Sequence, residues 1–94
     1  IYRGTLVSSN YSKTMLDFLK NQNTRSKIPA GVPSGTVANK TGEIDEQGVE
    51  NDSAIVYTSG ADYVISVMSK TSNPIKARTD IKKISNIVYK YYNK

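Results

Sequence analysis

Residues 40 to 43 read Lys-Thr-Gly-Glu at the end of a strand-like run. An ammonium supplies positive potential and three donors, a hydroxyl adds a directional donor, and a glycine lets a ligand lie close against the backbone. Lys40, Thr41 and Gly42 therefore suit recognition of an anionic acyl substrate, and a strand edge also accepts a peptide-like substrate as an added strand. The chain has no histidine and no cysteine. That removes disulfides, thiolate metal sites and a cysteine nucleophile, together with the commonest general base and metal ligand. Any catalysis runs on Lys, Ser, Thr, Tyr or carboxylates, and nothing calls for a cofactor or a metal.

The net charge of +5 is unevenly spread. Glu43, Asp45, Glu46, Glu50 and Asp52 crowd one stretch, whereas from Lys70 onward seven Lys or Arg face only Asp80. The acidic stretch reads as a solvated loop, since its spacing does not fit an EF-hand calcium loop. The basic tail reads as a solvated helix face, with an anionic polymer as its functional alternative. Its last residues, "YKYYNK", interleave aromatics with lysines as some nucleic-acid binders do, but Tyr91 falls on an apolar stripe and nucleic acid is not expected as a partner. Two pairs, Thr24 to Lys27 and Thr79 to Lys82, have the spacing of a nucleophile and its base but carry threonine; both read as coincidence. Ser8, Ser9 and Asn10 read as a helix cap.

The elements that must carry these groups follow from periodicity. Tyr11, Met15 and Phe18 recur at helical spacing, widened by Leu16 and Leu19, which predicts an amphipathic helix over 9–21. The segment "NQNTRSKIPAGVPSG" is broken by Pro29, Gly31, Pro33 and Gly35 and reads as a loop. Strands are expected at 36–42, 53–59 and 62–70, the last two forming a hairpin around Gly60 and the first joined through the acidic loop. Asn73 and Pro74 cap and open a second helix, with Ile81, Ile84, Val88 and Tyr91 as its stripe to about residue 92. The fold class is α+β, a three-stranded antiparallel meander with an N-terminal and a C-terminal helix, both needing one face of the sheet.

The 94 residues make at most one small domain, which buries a modest core. There is no apolar run long enough to span a bilayer and no signal-peptide pattern at the start. A chain beginning at Ile1 reads as a piece of a longer protein.

Taken together, "LVSSNYSKTMLDFLKNQ", "IPAGVPSGTVANKTGE", "NDSAIVYTSGADYVISVMSK" and the basic terminal helix resemble the C-terminal part of class A β-lactamases and related penicillin-recognising serine hydrolases. The resemblance covers essentially the whole of 1–94. It implies that the three strands are part of a five-stranded sheet and that the parent works outside the cytoplasm on a β-lactam or a D-alanyl-D-alanine-like peptidoglycan substrate. It also implies roles: Lys40 and Thr41 hold the substrate carboxylate beside Gly42, and the backbone N–H of Glu43 is one arm of the oxyanion hole. The family's Ser-x-x-Lys nucleophile pair and Ser-Asp-Asn element are absent here, so the chain alone is expected to be inactive. Two departures stand out. The residue after the glycine is Glu43, whose carboxylate shares a face with Thr41 and would disfavour an anionic group, and none of the three strands carries arginine. Both favour a broader hydrolase or peptidase-like role over efficient antibiotic hydrolysis. The alternative is a non-catalytic binding module that offers its basic helix to an anionic cell-wall polymer. The missing parent also leaves the 62–70 strand as an edge, open to the rest of the chain or to another copy.

Overall fold

The computed structural model describes all residues from Ile1 to Lys94. Helix α1 spans Ser9–Lys20, strands β1, β2 and β3 span Thr36–Ile44, Val49–Tyr57 and Tyr63–Lys70, and helix α2 spans Pro74–Tyr92. The strands form one antiparallel sheet in the order β1-β2-β3. This is the expected α+β meander, with a helix at each end. No helix is long and apolar enough to cross a membrane.

Local chemistry accounts for the helix ends. Ser8 caps α1, its Oγ accepting from the Tyr11 N–H at 3.2 Å. Asn73 caps α2 in the same way through Lys76 N–H at 3.1 Å, and Pro74, which has no N–H to leave unsatisfied, occupies the first helical position.

The acidic stretch is not the expected solvated loop. Strand pairing runs to Ile44 and resumes at Val49, leaving only a tight 3-10 turn over Asp45–Gln47 closed by Gly48. Gly48 has φ +66°, and a Cβ there would run into the Thr71 carbonyl oxygen. The turn therefore needs glycine for its conformation and for the approach of the neighbouring chain. Glu43, Glu50 and Asp52 consequently lie within strands, and Glu50 and Asp52 are buried.

Strand alternation sorts the sheet into two faces. Val37, Ala54, Val56 and Tyr63 share one face and pack with Ile28 of the loop and Ile81 of α2; Val32, Ile65, Val67 and Val88 pack against this cluster. Ile28, Val56 and Ile81 are almost completely removed from water, each side chain contributing about 1.5–3 kcal/mol of transfer free energy. Helix α2 buries only part of the expected stripe: Ile81 is in the core and Val88 packs against it. Ala77, Ile81 and Ser85 face inward at a spacing of four, while Ile84 and Tyr91 are exposed. The reason is close packing on the Pro29–Gly31 turn, where small residues are required: Ser85 Oγ donates to the Ile28 carbonyl at 2.8 Å and Asn86 Nδ2 donates to the Gly31 carbonyl at 3.1 Å.

Helix α1 also departs from expectation. It lies along β1 and reaches the opposite face, where Leu19 adjoins Ala38, Ser53 and Ile55, and Lys20 Nζ sits 4.7 Å from the Tyr57 ring centroid. The helices thus do not share one face, because Ala38 and Ile55 on the second face also need cover. Tyr11 and Phe18 of the expected stripe are exposed, and only Met15, Leu16 and Leu19 are partly covered. The "YKYYNK" aromatics serve packing: Tyr92 stacks on Tyr63 with centroids 4.7 Å apart and meets Tyr91 edge-on at 5.1 Å.

Candidate functional site

Lys40, Thr41, Gly42 and Glu43 occupy the second half of β1, an edge strand within these residues. In an antiparallel strand, the N–H and C=O of one residue point to the same side and alternate along the chain. The Val37 carbonyl accepts from Arg25 at 3.1 Å and the Thr41 carbonyl accepts from Lys40 Nζ at 2.8 Å. Both of these carbonyls thus have a side-chain donor beside β1.

Side chains at these positions divide between the faces. Lys40 is exposed, and its ammonium donates to the carbonyl of Thr41 rather than to a carboxylate. Thr41 is buried on the α2 face, directly across from Asp52, and Glu43 lies across from Glu50. Gly42 has open space at its missing side chain, the nearest atom being Asn51 Cβ at 4.0 Å.

Under this strand end lies a polar layer that sequence reasoning missed. Lys27, dismissed above as half of a coincidental spacing, is buried; its Nζ donates to Glu43 Oε1 at 2.8 Å and to the Asn51 carbonyl at 3.0 Å, and stands 3.2 Å from Glu50 Oε2. Arg78 of α2 closes on Glu50 Oε1 through its Nε. Asp52 accepts the Ile28 N–H at 3.0 Å and Asn39 Nδ2 at 3.1 Å. One signal was present. In "VENDSAIVY", Glu50 and Asp52 are in phase with Ala54 and Val56, which marks them as inward-facing. No comparable signal marks Lys27, which comes from an irregular loop.

Titration follows from these contacts. The Lys27 ammonium, helped by the Thr41 hydroxyl and the charge of Lys40, holds the Glu43 carboxyl below the usual carboxylate range against a partial desolvation. Burial pushes Asp52 upward, opposed by the Asn39 amide, the Ile28 N–H and the charge of Lys27. The carboxylate beside Thr41 is thus ionised near neutral pH.

The fold is shared with known proteins. The model of a family described as the beta-lactamase enzyme family matches residues 1–92. The chain belongs to that family. Among solved structures it is similar to PBP-A, with 26% identity and a TM-score of 0.86, covering 97% of this chain and 35% of that one. A class A β-lactamase from Mycobacterium abscessus shares 32% identity over 93% of this chain and 35% of its own, with a TM-score of 0.80. An L158E mutant of PBP-A, solved as an acyl-enzyme complex with penicillin G, aligns with 26% identity over 97% of this chain and 35% of its own, at a TM-score of 0.87. No curated protein sequence matches. The beta-lactamase family chain described here spans about a third of the length of these relatives, as the 35% coverage states.

Proposed function

We propose that residues 1–94 form the C-terminal part of a penicillin-recognising serine hydrolase and supply its Lys-Thr-Gly substrate strand. Lys40 offers positive potential, Thr41 a hydroxyl donor, and Gly42 room for the substrate to lie against β1. The backbone N–H of Glu43 serves as one arm of the oxyanion hole, a donor whose loss costs about 3–4 kcal/mol in comparable acyl-transfer sites. The observation that carries the reading is the position of Lys40 to Glu43 on β1, a strand that pairs with β2 alone and leaves its other edge open. The similarity to an acyl-enzyme complex with penicillin G supports a β-lactam or a D-alanyl-D-alanine-like peptide as substrate.

The nucleophile and its base come from outside these residues, since no Ser-x-x-Lys occurs in 1–94. The 94-residue chain is inactive by itself because nucleophile and base act as a unit that an oxyanion donor cannot replace. Family membership favours a place for the intact protein outside the cytoplasm. The absence of arginine from the three strands favours a peptidase-like role over rapid antibiotic turnover.

The test is covalent labelling by a fluorescent penicillin. The intact protein should carry the label through denaturing electrophoresis, and the isolated 94 residues should not. An intact protein left unlabelled would remove the reading and favour a binding module instead.

A further inference from the structure

Glu43 and Glu50 stand directly opposite each other in the β1–β2 register. Like charges in that position repel. Lys27 resolves the conflict by placing one ammonium between them, 2.8 Å from Glu43 Oε1 and 3.2 Å from Glu50 Oε2, with its remaining donor on the Asn51 carbonyl. Arg78 takes the other oxygen of Glu50. Two cations and two carboxylates thus form a charge-balanced group, beside Lys40 on the strand and Asp52 beneath it.

The four members differ in access. The side chains of Lys27 and Glu50 are each 1% exposed, whereas those of Glu43 and Arg78 are 34% and 43% exposed. Only Glu43 therefore presents a carboxylate to a molecule lying along β1, on the face of Thr41. In this setting a change of one charge on a buried member is poorly screened by salt.

On the function proposed above, we propose that Lys27 is a positioning residue that sets charge preference: it masks the Glu43 carboxylate so that the strand end beside Thr41 admits an anionic acyl substrate. Lys27 does not touch the substrate. It acts by holding Glu43 back toward the sheet and cancelling its charge. The departure that would otherwise oppose a substrate carboxylate is compensated by a loop lysine, and the strand keeps the net positive charge of Lys40.

The experiment compares benzylpenicillin with its methyl ester on the intact protein, reading second-order acylation constants and taking their ratio as the carboxylate preference. Glu43→Gln leaves Lys27 unbalanced and should raise that ratio about tenfold, while Lys27→Met unmasks Glu43 and should lower it about tenfold. The double variant should return close to the wild-type ratio. A purely structural role for Lys27 would depress both compounds alike and leave the ratio unmoved. Should Lys27→Met fail to fold, Glu43→Asp decides the matter, since the shorter carboxylate keeps its charge but draws away from the Lys27 ammonium and must lower the ratio, whereas a Glu43 that Lys27 does not mask would leave it level. An unchanged or reversed ratio in these Glu43 variants would overturn the proposal while leaving the labelling reading intact. If neither compound acylates the wild type, the proposed function falls and this assignment falls with it.

Discussion

Lys40 and Lys27 show how differently two lysines can serve one strand end. Lys40 is exposed and reaches only the Thr41 carbonyl, so its charge is available to a substrate. Lys27 is buried and committed to Glu43, Glu50 and the Asn51 carbonyl. We expect Lys40→Ala in the intact protein to lower acylation by benzylpenicillin at least tenfold, about 1.4 kcal/mol of transition-state stabilisation. Stopped-flow acylation rates check this, and a rate equal to wild type would remove Lys40 from the site. Lys40 was legible in the sequence because a short motif carries it. Lys27 was not, because a buried cation is recognised only by the anions around it, and those come from β1 and β2, 16 and more residues away.

At the scale of elements, the Pro29–Gly31 turn matters more than its length suggests. It docks on α2 and is continuous with Ile28, in the core, and with Lys27, under the strand end. A Cβ on Gly31 would stand 2.8 Å from Ser85 Cβ and 2.9 Å from Asn86 N, and nearer still to the Lys82 carbonyl oxygen. Two of these obstacles are helix backbone and cannot swing aside. Gly31→Ala should therefore cost about 1–3 kcal/mol as overpacking, or more if α2 is pushed off the sheet. Urea denaturation of the intact protein measures it, and a midpoint equal to wild type would show that α2 yields freely. The sequence placed both helices correctly and half of the α2 stripe, Ile81 and Val88, but missed the small residues beside it. Amphipathic periodicity favours large apolar residues, whereas the contact between turn and α2 selects small ones, Ala77 and Ser85, with Ile81 between.

For the whole molecule, the decisive feature is the open edge of β3. β3 pairs with β2 alone, and Val64 and Met68 are 73% and 81% exposed. No charge interrupts the run from Tyr63 to Ser69; Lys70 stands only at its end. Unpaired apolar strands of this kind recruit other strands. The isolated 94-residue chain is accordingly expected to pair edge to edge or exchange elements rather than remain an ordinary monomer. Light scattering at micromolar concentration checks this. A stable monomer with rapidly exchanging amides along 63–69 would show that the edge is tolerated.

What the sequence by itself determined is the set of elements and the motif. Strand alternation, helix caps and the order of apolar segments are local, so the meander, the Asn73 cap, a first cap among Ser8, Ser9 and Asn10, and the place of Lys40 to Glu43 on β1 could be read directly. The tertiary structure alone decided the electrostatics of the strand end. A carboxylate counts as repulsive, neutral or structural according to the charge within a few ångströms of it, and that charge depends on register and loop docking. The register set Glu43 against Glu50, the docked loop set Lys27 between them, and α2 brought Arg78. Four residues scattered from 27 to 78 became one balanced group only because the chain folded back on itself.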